Sequence, residues 1–187
     1  MNLKYWIILL LVFAACDRNT TPKPTGYPRV VYPEREYVLF DKARPYAFEV
    51  PAYADVVPHQ SNISEPYWYD IRFPAFKGTL HLSYKRLENN VDAYIEDTRT
   101  LVYKHASRSD GISEVPFRDT ANNRYGILYD LAGNVASSVQ FFLTDSTEHF
   151  LRGSLYFNTT PNSDSLRPII RFVKQDIEHM IETVQWK

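Results

Sequence analysis

The sequence contains a single cysteine, Cys16, so no disulfide can form within the chain. Its six glycines are scattered, and none belongs to a glycine-rich phosphate-binding loop. Neither sign of charge dominates, because 21 basic and 22 acidic residues are interspersed and give a formal net charge of −1. No basic stripe is therefore available to follow a phosphate backbone, and nucleic-acid binding is disfavoured.

The chain also lacks an apolar run of the roughly 20 residues that a membrane-spanning helix needs. Its longest run, Tyr5 to Phe13, follows Lys4 and is followed by two alanines and Cys16. This pattern is typical of an export signal, which we assign to residues 1–15. Small residues directly before a cysteine resemble the lipobox of bacterial lipoproteins, in which the signal is cut before that cysteine.

Lipidation of Cys16 would explain why an exported chain carries a lone thiol. In lipoproteins of this type the cysteine becomes the acylated first residue, and its acyl chains hold the protein at a membrane. The alternative is an ordinary signal peptide that leaves a free, reactive thiol. We expect lipidation at Cys16, with no spanning segment.

Residues 16–36 are polar at first and then punctuated by four prolines. Such a segment favours an extended conformation of about 3.1 Å per residue, so it could hold a domain about 50 Å from the bilayer. We therefore predict a tether over residues 16–36 and one globular domain over residues 37–187. The prolines are Pro22, Pro24, Pro28 and Pro33.

The domain begins with strand patterns, and an aromatic share of 15% agrees with strands. Tyr46–Val50 and Tyr67–Phe73 alternate in polarity, and each ends at a proline, which cannot donate to a strand ladder. A further run, TLHLSYK, follows Gly78. The second half predicts a four-strand antiparallel meander with the strands ISEVPF, RYGILYD, VASSVQFFLT and HFLRGSLYFN.

Two segments have helical periodicity. In the first, Val91, Ile95, Thr98 and Val102 fall on one stripe after an asparagine cap, Asn89 or Asn90. In the second, Ser165 is the predicted cap, Pro168 lies in the first turn, and an apolar stripe interrupted only by Asp176 continues to Val184. The predicted fold is α+β: a single domain with a mostly antiparallel sheet covered by helices, including a long C-terminal helix.

Asp145, Ser146 and His149 lie within five residues and invite comparison with a hydrolase triad. A triad needs its three groups to converge from separate elements, and no G-x-S-x-G elbow is present. The alternative is a turn in which the short side chains of Asp145, Ser146 and Thr147 bind free backbone groups. The spacing favours the turn.

Arg152 interrupts a strand that we expect to be buried, where an arginine needs a partner. The candidate partners are Asp145 across the hairpin and a carboxylate on a covering helix, such as Asp97 or Asp176. A structural ion pair is favoured over a site for an anionic ligand. Gly153 beside it predicts a bulge or a close backbone approach.

The remaining chemistry is sparse. None of the five histidines belongs to H-x-H, H-E-x-x-H or another recognised ligand pair, and no calcium-loop pattern is present. The histidines are His59, His81, His105, His149 and His179. The sequence therefore predicts no metal centre, no cofactor and no enzyme.

Besides the lipobox cysteine, the chain contains, in order, the strings HLSYK, IEDTRTLVYKH, GN-x-AS, QFFLTDST, HFLRGSLYFN, PN-x-DSL and the final Trp186-Lys187. Taken together, these strings resemble one family, the gliding motility lipoprotein GldD of the Bacteroidetes. The resemblance implies a lipid-anchored, periplasm-facing envelope protein required for gliding and the associated type IX secretion system. It implies no catalytic residue, and only the lipidated cysteine carries over, onto Cys16.

The expected partners are the membrane, through acyl chains on Cys16, and other gliding or secretion envelope proteins. Tyr67, Trp68 and Tyr69 are candidates for a partner surface, with core packing as the alternative. The rival function is a periplasmic binding module or small enzyme that uses Arg152 for an anionic ligand.

Two further likenesses concern modification and fold. Asp145-Ser146-Thr147 and Asp119-Thr120-Ala121 look like the O-glycan acceptor pattern of Bacteroidetes envelope proteins, with plain turn residues as the alternative. The order of strands and the terminal helix resemble small sandwiches of the PsbP and Mog1 type, which concerns fold and not activity.

Overall fold

A computed structural model describes residues 30–42, 45–159 and 163–187 of the chain. The predicted signal peptide, Cys16 and residues 17–29 of the predicted tether lie outside these residues. The predicted α+β class is confirmed: the chain forms one domain with two α-helices and mostly antiparallel sheets. No helix in the described part is long and apolar enough to cross a membrane.

The strands form two sheets, and every paired strand is antiparallel to its neighbour. The strands are β1 (Tyr37–Phe40), β2 (Tyr46–Pro51), β3 (Asp55–Pro58), β4 (Tyr69–Phe73), β5 (Gly78–Arg86), β6 (Gly111–Asp119), β7 (Arg124–Ala132), β8 (Ser137–Thr144), β9 (His149–Phe157) and β10 (Gln185–Trp186). The helices are α1 (Val91–Tyr103) and α2 (Ser163–Thr183). The large sheet has the order β3-β4-β5-β9-β8-β7-β6, and the small sheet has the order β1-β2-β10.

The first face of the large sheet carries the main core. Here α2 and strand β2 cover the central strands, because the apolar stripe of α2 meets alternate apolar side chains of the sheet. The buried stripe consists of Val173, Ile177, Met180, Ile181 and Val184. Full burial of an aliphatic side chain contributes roughly 1.5–3 kcal/mol, so this stripe anchors the helix to the sheet.

Among the described residues, the second face of the sheet is covered only in part. Helix α1 packs over β8 and β9 and buries Val102 and Thr98 there. A smaller apolar cluster forms beneath it, made of Leu87, Val102, Tyr129, Leu131, Val135, Phe142 and Phe150. The same face of β4 and β5 carries polar residues instead, and this uncovered half holds the candidate site.

The C-terminal helix begins earlier than the sequence predicts. It starts at Ser163, so Ser165 lies inside the helix and is not its cap. Pro168 is therefore the sixth helical residue, beyond the first turn, where its missing N–H costs one intrahelical hydrogen bond. The first predicted helix, which carries Val91, Ile95, Thr98 and Val102, is confirmed as α1, and Asn90 is its N-cap.

The one charged residue on the buried stripe of α2 has donors from three places in the chain. Asp176 is 1% exposed and accepts hydrogen bonds from Nε of Arg35 at 3.1 Å, from the hydroxyl of Tyr37 at 2.8 Å and from the hydroxyl of Tyr53. The guanidinium of Arg35 also lies 4.2 Å from the ring centroid of Phe172. The described end of the predicted tether, residues 30–36, thus contacts α2.

Candidate functional site

The reversal between β8 and β9 is a hydrogen-bonded turn. Oδ1 of Asp145 accepts backbone N–H bonds from Thr147 at 3.0 Å, Glu148 at 2.9 Å and His149 at 2.8 Å, while Ser146 has a φ of 69°. Burial raises the pKa of Asp145, but the three backbone donors outweigh it, and the net pKa is below its ordinary value. The predicted turn is confirmed for Asp145, whereas the hydroxyl of Thr147 donates to the carboxylate of Asp145 at 2.9 Å and not to the backbone.

The imidazole of this segment contacts two aromatic side chains. Nδ1 of His149 lies 2.9 Å from the hydroxyl of Tyr84, and its ring stacks on Trp186 with centroids 5.1 Å apart. Burial lowers the pKa of His149, which keeps the ring neutral near pH 7. Asp145 binds backbone donors, and His149 binds Tyr84. Asp145, Ser146 and His149 therefore form a packed turn and are not arranged as a triad.

The predicted ion pair of Arg152 is wrong. Neither Asp145, Asp97 nor Asp176 is its partner: Nη2 of Arg152 donates to the side-chain oxygen of Gln140 at 2.8 Å. Its Nε is buried without a hydrogen-bond partner, and no carboxylate in the described ranges forms an ion pair with it. Burial lowers the pKa of the guanidinium, which nevertheless stays charged near pH 7.

The strand register explains why the predicted partners are out of reach. Arg152 stands opposite Ser83 on one side and Phe142 on the other, on the second face of the sheet. Asp176 belongs to α2 on the first face, and Asp97 is exposed on α1. Gly153 pairs regularly with Leu82 and Phe141, and what approaches it is a side chain and not a backbone, since a Cβ there would lie 2.1 Å from the ring of Phe141.

Arg152 lies in a cavity of about 340 Å³ on the uncovered half of the second face. The lining includes His59, Trp68, His81, Arg152, Ser154 and Tyr156. An arginine with no carboxylate partner among the described residues, aromatic side chains and two imidazoles line this mostly apolar hollow on the sheet. This combination can bind a small anionic group.

Beneath the cavity, two imidazoles meet one buried carboxylate. Nδ1 of His59 lies 2.8 Å from Oδ1 of Asp70, and Nδ1 of His81 lies 2.7 Å from the same oxygen. Asp70 is 7% exposed. No sequence motif predicts this group, because consecutive members are 11 residues apart; the pairing of Asp70 with His81 across β4 and β5 brings them together.

A second cavity of about 310 Å³ lies between the β6–β7 hairpin and the end of α2. There the guanidinium of Arg124 binds the carboxylate of Asp119 and the main-chain oxygen of Glu182. The hydrogen bond from Arg124 and others in the same turn lower the pKa of Asp119 to about 2. Arg124 is therefore paired, and this cavity offers less unneutralised charge than the first.

Tyr67, Trp68 and Tyr69, the candidates for a partner surface, differ in exposure. Tyr69 is buried at 8% exposure, and Trp68 is half-buried with its indole N–H donating to the main chain of Tyr84 at 2.9 Å. Tyr67 is 43% exposed and has a φ of 69°. Of these three aromatic residues, only Tyr67 is available to a partner on the outer surface.

The fold is similar to that of a solved structure. The solution structure of cyanobacterial PsbP (CyanoP) from Synechocystis sp. PCC 6803 is similar, with a TM-score of 0.51 over 88% of this chain and 100% of that chain. The sequence identity is 11%, so the likeness concerns the fold alone. Among curated proteins, none matches this chain.

A family comparison covers nearly the whole sequence. The model of the family described as gliding motility lipoprotein GldD matches residues 17–186. This span includes both sheets, both helices, the β8–β9 turn and the cavity around Arg152. The chain therefore belongs to the gliding motility lipoprotein GldD family.

Proposed function

We propose that the chain is exported by residues 1–15, acylated at Cys16 and held at the cell envelope facing the periplasm. There it acts as a non-catalytic assembly or support component of the bacterial gliding machinery and of the associated type IX secretion system. The family match over residues 17–186 is the observation that carries this proposal.

The chemistry of the β8–β9 turn agrees with a role through contacts. Asp145 is occupied by backbone donors, and His149 by Tyr84 and Trp186, so the most triad-like cluster in the sequence serves the fold. A lipid anchor would add to such a role, because confinement at a membrane raises the effective concentration of a domain near its partners.

Replacement of the cysteine tests the anchor. We expect Cys16→Ser to abolish incorporation of labelled palmitate and to move the protein from the membrane fraction to the soluble fraction. Thr20→Ala, a nearby change in the predicted tether, serves as the control and should remain in the membrane fraction. A Cys16→Ser protein that stays with membranes after a high-salt wash would contradict the anchor.

A second candidate function has its own supporting observation. The charge of Arg152 has no carboxylate partner within the described ranges, its Nε has no hydrogen-bond partner, and the side chain lines a cavity of about 340 Å³. A small anionic ligand, such as a phosphate or carboxylate group, would supply the missing acceptor. The domain would then be a binding module as well as a support.

Inorganic phosphate and succinate are suitable probes for this second function. Binding should raise the unfolding temperature of the protein in proportion to the logarithm of ligand concentration. We expect Arg152→Met to lose this rise and Arg72→Met, at an exposed arginine on β4, to keep it. If neither anion shifts the wild-type unfolding temperature, these anions are not ligands of the cavity.

A further inference from the structure

Three neighbouring strands bring metal-ligating side chains to one point. Asp70 belongs to β4 and His81 to β5, and the two are direct cross-strand partners. His59 follows β3 immediately, and its backbone N–H bonds to the carbonyl of Trp68 at 3.0 Å, which continues the β3–β4 ladder past the last assigned residue. The sheet itself therefore fixes the backbone of all three residues.

The donor atoms converge more closely than a structural pairing requires. One imidazole would suffice to satisfy one oxygen of a buried carboxylate, but here two Nδ1 atoms lie 2.7 and 2.8 Å from the same Oδ1. The two imidazole rings are 5.4 Å apart at an interplanar angle of 81°. The three donor atoms lie within 4.8 Å of one another.

These separations suit a four-coordinate ion after a small movement. Zinc binds histidine nitrogen and carboxylate oxygen at about 2.0–2.2 Å, so its ligand atoms stand about 3.3 Å apart in a tetrahedral site. Each nitrogen–oxygen contact would have to open by about half an ångström, which side-chain rotation can supply on a fixed backbone. Each neutral imidazole would then carry its proton on Nε2.

One side of the group is open. Asp70 is buried, with a side chain 10% exposed, whereas the side chains of His59 and His81 are 23% and 41% exposed and line the cavity. A fourth ligand, water or an anionic group, would approach from that cavity, where Arg152 supplies positive charge. Three protein ligands with one open position are the arrangement of reactive zinc sites.

We propose that Nδ1 of His59, Oδ1 of Asp70 and Nδ1 of His81 bind a divalent transition metal, with Zn²⁺ as the ion that best suits this donor set. Two imidazoles and one carboxylate suit Zn²⁺ better than Mg²⁺ or Ca²⁺, which prefer oxygen ligands throughout. The site goes beyond the proposed anchoring and support role and does not depend on it.

The direct test is a binding measurement with Zn²⁺ alone. The protein purified from membranes in detergent is stripped of metal and titrated with Zn²⁺ in competition with a chromogenic chelator. We expect one ion per chain, and at least tenfold weaker binding by His59→Ala, His81→Ala and Asp70→Asn. Any free thiol at Cys16, the single cysteine of the chain, is first blocked with iodoacetamide so that it does not compete for Zn²⁺.

The control removes a histidine–carboxylate pair elsewhere in the domain. Nε2 of His179 lies 2.7 Å from the carboxylate of Glu49, so His179→Ala removes similar chemistry without touching the proposed ligands. This variant should bind one Zn²⁺ with unchanged affinity. Wild-type protein that binds no Zn²⁺, or equal binding by His81→Ala and wild type, would overturn the proposal.

A second measurement covers the case in which Asp70→Asn fails to fold. Co²⁺ added to the wild-type protein should produce the visible absorption bands of a four-coordinate ion, and Zn²⁺ should displace them. His81→Ala, at the most exposed of the three ligands, should lack these bands while its far-ultraviolet circular dichroism stays unchanged. Absence of the bands in the wild-type protein would also contradict the site.

Discussion

The hydroxyl of Tyr37 donates a hydrogen bond of 2.8 Å to the carboxylate of Asp176, across 139 residues of sequence. Asp176 is the only charged residue on an otherwise apolar stripe of α2 and is 1% exposed. Tyr53 and Arg35 donate to the same carboxylate. These bonds connect the first strand and the residues before it to the C-terminal helix, so they fix the position of the domain's N-terminal end.

Removing a hydroxyl donor to Asp176 should destabilise the domain. A hydrogen bond to a charged group contributes about 1.5–3 kcal/mol, so we expect Tyr37→Phe to lower the free energy of unfolding by about that amount. Tyr125→Phe, at a half-buried tyrosine on β7, is a control. Urea unfolding monitored by tryptophan fluorescence measures both changes. Equal stability of Tyr37→Phe and wild type would show that the bond contributes nothing.

Tyr37 and Tyr129 predict a loss of stability in alkaline solution. Burial and the hydrogen bond to Asp176 raise the pKa of Tyr37 to about 12, and burial raises the pKa of Tyr129 to about 12. Tyrosine in an unfolded chain has a pKa of about 10. Because the folded pKa values are raised, this stabilisation is fully present below about pH 10 and is lost as the pH rises toward 12.

Unfolding in urea at a series of pH values from 8 to about 12 measures this effect. The free energy of unfolding should be level at first and then fall steadily. In Tyr37→Phe the fall should be shallower, because one of the responsible groups is absent. A wild-type profile that stays level throughout would contradict the assigned shifts.

Gly153 and Gly111 form a matched pair of glycines within strands. A Cβ on Gly153 would lie 2.1 Å from the ring of Phe141, whereas one on Gly111 would meet nothing within 4 Å. We expect Gly153→Ala to cost about 1–3 kcal/mol through overpacking, and Gly111→Ala to change stability by less than about 0.5 kcal/mol. Equal effects in thermal unfolding would show that the β8–β9 packing tolerates displacement of Phe141.

The β8–β9 turn predicts sensitivity to acid. The pKa of Asp145 is lowered in the folded chain, so its stabilisation is present above the ordinary aspartate value of about 4 and is lost as the pH falls through the lowered pKa. Asp145→Ala should therefore cost about 2 kcal/mol at pH 7 and less near pH 2. If Asp145→Ala lowered the free energy of unfolding equally at both pH values, the negative charge of Asp145 would not contribute to stability.

The sequence could predict what depends on local patterns. Alternation of polarity predicted the longer strands, helical periodicity predicted both helices, and turn chemistry predicted the arrangement around Asp145. The predicted start of α2 was wrong because serine is a common N-cap and proline is common in a first helical turn, whereas Ser165 and Pro168 both lie inside the helix. The short strands β1, β3 and β10 have too few residues for a readable pattern.

The candidate site depends on register, which the sequence leaves open. Asp70 and His81 belong to β4 and β5, and His59 directly follows β3; only the pairing of these strands places two imidazoles on one carboxylate. The partner of Arg152 was missed for the same reason, since Gln140 is its neighbour across β8 and β9 while the charged candidates lie elsewhere. An uncharged amide was not among the expected acceptors.

In the proposed function, this lipoprotein contacts other envelope proteins of the gliding and secretion machinery. Affinity purification of the chain from its own cell envelope, after mild cross-linking and with the Cys16→Ser protein as a comparison, tests this role. We expect gliding or secretion components with the lipidated chain and far fewer with the variant. Recovery of none of these components, from cells in which the protein is required for gliding, would contradict the account.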